Sequence, residues 1–340
     1  MSSRETLDAT VDGAAQRIVV LSGGVGGARF TRGLLAHLHG TDVVVTVIVN
    51  TGDDLWLHGL RICPDLDTLM YTLGGGIDEQ RGWGRDDEHY VIAEELAAYG
   101  TDNGWFTLGD RDLATHIART AMLREGRPLS EVTRVLTGRW RLAAAVLPMS
   151  DQEVETWIEL ARPTPDGESV IHFESWWVRY RAAIPARGFV QRDVERARPA
   201  PGVIEAIEGA DLILVPPSNP VVSVGTILGV PGVSDAIRGA RAPVVGVSPI
   251  IGGRAVRGMA AECLRALDVP VSAAGVAAWY RHRHGLLDGW LVDEADESQL
   301  DEIRAIGITA EAVPLWMRDV PATATIAARA LEMGSRLGKR

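Results

Sequence analysis

VVLSGGVGGAR, Val19–Arg29, decides the fold. With Ile18 ahead of it, the run Ile18-Val19-Val20-Leu21 is wholly apolar, the pattern of a strand buried on both faces of a parallel sheet. Ser22-Gly23-Gly24-Val25-Gly26-Gly27 follows, and from Ala28 to Leu38 apolar residues recur at helical spacing. Strand, glycine loop and helix in that order make an oxyanion site. Glycines let a phosphate approach the backbone, and the unpaired N–H groups of the helix start attract it. The match to the dinucleotide fingerprint stops at the third glycine, where Arg29 stands, and no Gly-Lys-Ser/Thr makes a P-loop. A tight structural turn is the alternative reading of such a loop.

Working outward, Val43–Val49 is a second apolar strand ending in Asn50-Thr51-Gly52-Asp53-Asp54, with Asp65-Leu66-Asp67-Thr68 soon after. Two strands joined by a helix form a right-handed βαβ unit, so both carboxyl ends open on one sheet edge and the glycine loop shares a crevice with the acids. A helix is expected over Thr68–Leu73, stopped by Gly74-Gly75-Gly76, and others over Glu88–Tyr99 and Leu129–Trp140. Ala143–Glu159 and Val170–Tyr180 read as strand-like and break the βα rhythm. The rhythm returns at Asp211–Val215 before Pro216-Pro217-Ser218-Asn219-Pro220, and at Pro243–Val247 before Ser248-Pro249-Ile250-Ile251-Gly252-Gly253. Val269–Val271, Gly289–Val292 and Ala312–Leu315 are candidate short strands, and a last helix runs from Ala322 to Leu331. The expected architecture is α/β: a Rossmann-like, doubly wound, mostly parallel sheet over 17–140 and 200–335, an inserted α+β region over 141–199, and a disordered leader over 1–16.

Composition narrows the function. A chain of 340 residues, 46% hydrophobic and 23% charged, is an ordinary soluble globular protein. No apolar run reaches the ~18 residues that span a bilayer, and the first residues lack a signal-peptide core, so a cytoplasmic protein is expected. Cys63 and Cys263 make no disulfide framework. A net charge of −11 argues against nucleic-acid binding. Lys339 is the only lysine, so Schiff-base and P-loop-lysine chemistry are excluded, and a phosphate must be met by arginine, backbone N–H groups or a metal ion.

Four strand ends carry polar loops: SGGVGG, NTGDD, PPSNP and SPIIGG. Each alone is a good turn; together, at the carboxyl edge of one sheet, they describe a ligand site. Asp53, Asp54, Asp65 and Asp67 suit Mg²⁺, or one of them a general base. Capping of the following helix is the alternative for Asp65 and Asp67. Arg111, within Gly109-Asp110-Arg111-Asp112, either clamps a phosphate or forms a structural ion pair. Trp83, Trp105, Trp176 and Trp177 are stacking candidates or core, and His116 reads as structural.

SGGVGGARF, VNTGDDLWLHGLRICPDLDTLMYTLGG, WFTLGDRDLATH, HFESWWVRYRA, VPPSNPVVSVGTIL and VSPIIGGRAVRGMAAECL, in this order, resemble the 2-phospho-L-lactate transferase family (CofD/FbiA) of coenzyme F-420 biosynthesis. The resemblance runs from about Arg17 to Leu331, and the ARF, WWVRYRA and RGMA segments are closer to its phosphoenolpyruvate-using branch. It implies a Mg²⁺-dependent transferase that moves phosphoenolpyruvate or 2-phospholactate from a guanosine-diphospho donor to the ribityl hydroxyl of the deazaflavin Fo, releasing GMP. Carried over, Gly23, Gly24, Gly26, Gly27, Ser218, Asn219 and Ser248 hold the guanosine phosphates. Asp53, Asp54 and Asp65 become metal-side acids, and Asp65 and Asp67 the catalytic acids, with Asp67 at the Fo hydroxyls. Thr107, Arg111 and Trp83 line the Fo side. RGMAAE departs here from the Gly-Pro-Ala of many relatives. Two other readings compete with it: a non-catalytic nucleotide-sugar-binding regulator of the gluconeogenesis-factor type, and an NAD-dependent oxidoreductase, disfavoured by Arg29 in the fingerprint. A homodimer is expected as the commonest assembly.

Overall fold

The computed structural model describes residues 15–101 and 104–340. The expected leader falls outside them except for Ala15 and Gln16, whose carbonyl (Gln16) accepts the Val44 N–H at 2.8 Å.

Seven parallel strands form the central sheet: β1 (Arg17–Ser22), β2 (Val44–Val49), β3 (Ala145–Pro148), β4 (Leu212–Val215), β5 (Val244–Val247), β6 (Gly289–Val292) and β7 (Thr309–Ala312). Their spatial order, β7-β6-β5-β4-β1-β2-β3, is the dinucleotide-fold order with one strand added, and the order reverses between β1 and β4. Alternate residues of β1 feed two different cores. Ile18 and Val20 pack with Phe30 and Leu34 of α1 (Val25–His37), whereas Val19 and Leu21 join Val203, Ile207 and Ile237 on the other face. That is why the strand reads as a continuous apolar run. The expected doubly wound α/β fold is observed.

α2 (Pro64–Gly74) begins at Pro64, which needs no N–H partner in the first helical turn, and ends on Gly75 at φ +72. It therefore starts earlier than the sequence pattern suggested and carries Asp65 and Asp67 in its first turn, although neither side chain caps it. α3 (Asp110–Arg124) crosses nearby, and α4 (Val320–Leu337) packs on α1.

The middle section differs from expectation. The stretch Ala143–Glu159 is two strands in two sheets: Ala145–Pro148 is the central sheet's edge strand β3, and Glu155–Leu160 is the middle of a separate antiparallel sheet with Val170–His172 and Ala186–Arg192. The inserted region expected from 141 thus loses its first strand to the central sheet. Val170–Tyr180 is strand only to His172; Ser175–Arg179 is a π-helical turn, because Trp176 turns inward and its indole N–H donates to the Ile184 carbonyl at 2.7 Å. At the C-terminal end, β7 precedes the expected Ala312–Leu315 run, and Val269–Val271 forms no strand. No described helix is long and apolar enough to cross a membrane.

Candidate active site

The loops after β1 and β4 meet across the point where the strand order reverses. The Gly23 N–H donates to Ser218 Oγ at 3.1 Å. None of Gly23, Gly24, Gly26 and Gly27 has a positive φ. They are glycines because neighbours press on them: a Cβ on Gly24 would sit 2.6 Å from Asp65 Oδ1, and one on Gly26 would sit 2.3 Å from the Pro217 carbonyl oxygen. The glycine loop is a packing surface, and Gly24, Val25 and Gly26 face the cavity.

Beyond these loops opens a cavity of about 1160 Å³. Of the expected residues, Gly24, Gly26, Asp53, Asp65, Asp67, Trp83, Thr107, Ser218, Asn219 and Ser248 line it. Gly23 and Gly27 lie behind its wall. Ser218, Asn219 and Ser248 also shape their loops: Asn219 Oδ1 accepts the Val221 and Val222 N–H groups, and Ser248 Oγ accepts that of Ile250. Two residues fall elsewhere. Arg111 is outside the cavity lining, paired with Asp87 at 2.6 Å, which is the structural-ion-pair reading of that segment. Asp54 is fully buried against Arg61 at 3.9 Å and does not line the cavity. Trp105 and Trp177 line it, while Trp176 is core.

Asn50 organises the acids. Its amide donates to Asp65 Oδ2 at 2.9 Å and Asp53 Oδ2 at 3.2 Å, while its oxygen accepts the Gly52 N–H. Glu174, supplied by the turn after Val170–His172, completes the group. Burial, then repulsion from Asp65, Glu174 and Asp54, raises the Asp53 carboxyl well above its usual range. Burial lifts Asp65 to about 6, and burial with repulsion from Asp65 and Asp54 lifts Glu174 to about 8. No arginine offsets these three, and Asp53 Oδ1 is buried without a hydrogen-bond partner. Oxygen donors short of positive charge have the chemistry that suits a hard divalent cation, although the oxygens of these three do not converge within 4.8 Å as those of the next group do.

A second cluster differs. Asp67, Asp112 and His116 bring ligand atoms within 4.8 Å of one another. Here positive charge is already present: Arg119, itself buried, donates to Asp67 Oδ1. His116 lies between the acids, Nδ1 3.5 Å from Asp67 and Nε2 3.4 Å from Asp112, whose carboxylate accepts the Tyr71 hydroxyl at 2.7 Å. Burial would raise the Asp112 carboxyl, but His116 and the Tyr71 hydroxyl outweigh it and hold it low. His116, read from the sequence as structural, thus lines the cavity in contact with Asp67.

The sequence reading missed Asn50, Glu174 and Arg119 as site residues. Asn50 heads the NTGDD loop and was within reach of the strand-end logic. Glu174 and Arg119 lie in segments whose approach to the crevice no local pattern announces.

A sheet in dinucleotide order, with glycine and PPSNP loops across the reversal point and buried carboxylates beside them, is the architecture of a Rossmann-type α/β enzyme. The chain matches the family described as 2-phospho-L-lactate transferase CofD over residues 18–320 and belongs to it; it is a transferase. It is 56% identical over 322 residues to a phosphoenolpyruvate transferase of Streptomyces griseus, covering 94% of this chain and 99% of that protein. Proteins of the same name from Thermobifida fusca (54% over 330 residues, 95% and 99% covered) and Mycolicibacterium smegmatis (50% over 327 residues, 93% and 98% covered) are similar throughout. A solved structure of a UPF0052 family member from Bacillus halodurans aligns with TM-score 0.63 at 18% identity, covering 94% of this chain and all of that one, a likeness of fold. The resemblance read from the motifs is borne out, and the non-catalytic regulator is set aside.

Proposed function

We propose that the chain transfers a phosphoenolpyruvyl phosphate group from a guanosine-diphospho donor to the ribityl hydroxyl of the deazaflavin Fo, releasing GMP, with Mg²⁺ required. The observation that carries this reading is one cavity holding a glycine-loop helix start, an uncompensated carboxylate group and aromatic walls, in a volume of about 1160 Å³ that admits two substrates together. The names of relatives at 50–56% identity support the enolpyruvyl donor.

In the reaction the acceptor hydroxyl oxygen bonds to the phosphorus that carries the enolpyruvyl group. The bond from that phosphorus to the bridging oxygen breaks, and GMP leaves with the electron pair. Backbone N–H groups at Val25 and Gly26, the start of α1, hold the guanosine phosphate, the Gly24 N–H being turned to Asp65, with Ser218, Asn219 and Ser248 shaping the walls around it. Asp53, Asp65 and Glu174 would hold Mg²⁺, which when bound neutralises charge on the transferring phosphoryl group. Asp67, clamped at Oδ1 by Arg119 and with Oδ2 3.5 Å from His116 Nδ1 but not hydrogen-bonded, takes the hydroxyl proton. Thr107, Trp83, Trp105 and Trp177 line the acceptor side. Such transfer needs positioning and charge neutralisation, and no covalent nucleophile.

The test is an assay with Fo and each guanylylated donor, with and without Mg²⁺, followed by mass. A phosphoenolpyruvyl adduct of Fo with equimolar GMP is expected. A phospholactyl adduct alone would overturn the donor, and no adduct from either would overturn the transfer.

A further inference from the structure

Two arginines that line the cavity, Arg29 and Arg257, have no ion-pair partner among the described residues. Arg29 sits half-buried in the second turn of α1. Arg257 follows the short hairpin of Ile250–Ile251 and Arg254–Ala255, within the RGMA segment that the sequence sets apart. Each turns its guanidinium to backbone carbonyls of one short segment: Arg29 Nη2 to Glu79 at 3.4 Å, and Arg257 Nη2 to Gln80 at 3.4 Å and Arg81 at 2.6 Å. The nearby acid, Glu79, is taken by Arg32. The chain makes room for Arg257 at Gly82, φ +79, where a Cβ would lie 2.5 Å from Nη1. Burial, then the charge of Arg257, lowers the proton affinity of Arg29. Glu79, shared with Arg32, offsets part of the Arg29 charge; two like charges facing one cavity and otherwise met by carbonyl dipoles gain most when an anion sits between them.

We propose that Arg29 and Arg257 form a two-guanidinium clamp for an anionic oxygen group of the donor, phosphate or carboxylate. The clamp rests on the transfer reading above and names what grips the donor. Neither residue takes part in proton transfer; both position the donor and set its class as polyanionic.

The test titrates the full chain by calorimetry, without Fo, with phosphoenolpyruvate and separately with inorganic pyrophosphate. Arg29→Gln and Arg257→Gln are each expected to weaken binding tenfold or more, with Arg257→Lys retaining most of it. Melting temperature without ligand should hold or rise, because a repelling charge has gone. Loss for both probes assigns the clamp to phosphate, and loss for phosphoenolpyruvate alone assigns it to the carboxylate. Unchanged affinities, no binding of either probe to the unsubstituted chain, or a melting temperature that falls in step with affinity would overturn the clamp. The last result would make the arginines ties for the 79–81 segment. Adduct formation with unchanged affinities sinks the clamp alone; arginine-dependent binding without any adduct sinks the transfer alone.

Discussion

Arg119 of α3 reaches Asp67 in the first turn of α2, fifty-two residues away in sequence, and holds its Oδ1 while Oδ2 stays free of hydrogen bonds. The same guanidinium donates to the Arg61 carbonyl at 3.3 Å and lies 3.1 Å from His116 Nδ1. One oxygen of the carboxylate is thus fixed by a buried cation, and the other is buried 3.5 Å from His116 Nδ1 without a hydrogen bond. Removing either partner leaves a buried charge uncompensated.

The first prediction is a thermodynamic cycle on that pair. Arg119→Met alone should cost about 3–5 kcal/mol of unfolding free energy, the usual loss when one member of a buried ion pair is deleted. Asp67→Asn alone should also destabilise, by leaving Arg119 unpaired, and should abolish turnover. The double variant should recover part of the combined loss, because it leaves neither charge stranded. Urea unfolding of the four proteins measures this; strictly additive losses would dissolve the pair as an energetic unit.

Asn50 touches no substrate in the proposed reaction, yet it aims both Asp53 and Asp65. Asn50→Ala should raise the Mg²⁺ concentration needed for half-maximal activity by about 10–100-fold, the range for lost outer-shell partners. The increase in melting temperature on adding Mg²⁺ should shrink in parallel. An unchanged Mg²⁺ requirement would move the metal away from these two acids.

Asp65 at about 6, Asp54 at about 7 and Glu174 at about 8 all lie above their ordinary values of 3.8, 3.8 and 4.5. For each, burial is the largest cause. The folded protein therefore retains protons that the unfolded chain has released. Stability from these groups is complete below the ordinary values and is lost as pH rises through 6 to 8. His284, pushed down to about 4 by burial and its arginine neighbours, acts in the opposite sense only below its ordinary 6.5. With a chelator present, the melting temperature should fall between about pH 6.5 and 8.5, and Mg²⁺ should restore more of it at the upper end. A flat profile would show that the acids find counter-charge elsewhere.

What the sequence made legible follows from where the determinants are local. Apolar runs at Ile18–Leu21, Val44–Val49 and Asp211–Val215 specify buried parallel strands by themselves, and the βαβ handedness then puts their loops on one edge. Gly24, Gly26, Asp53, Ser218, Asn219 and Ser248 line the cavity for that reason, whereas Thr107 and Trp83, which also line it, were implied only by the family resemblance. The misses are tertiary. Asp54 and Asp53 are chain neighbours whose side chains part, one to Arg61 and one to the cavity, and the pattern NTGDD does not separate them. Ala145–Pro148 joins the central sheet because β2 has a free edge, a fact about β2 rather than about residues 145–148. Arg119 and Glu174 become site residues only through the packing of α3 and the small sheet.

The glycine loop yields the last prediction, in which one substitution has opposite signs at two positions. At Gly26 a methyl group would lie 2.3 Å from the Pro217 carbonyl oxygen, a rigid backbone atom on the facing loop. Gly26→Ala should therefore cost about 1–3 kcal/mol, the range for overpacking, and should push the two loops apart, weakening nucleotide binding with it. Gly138, the last residue of the helix Leu129–Gly138, has no positive φ and nothing within 4 Å of its would-be Cβ. There the same change removes freedom only from the unfolded chain and should stabilise by about 0.4–1 kcal/mol. Thermal and urea unfolding of both variants decide the matter: a Gly26→Ala protein as stable as the parent would mean that the loop after β1 is glycine-rich for its ligand alone, and that the contact with Pro217 yields at no cost.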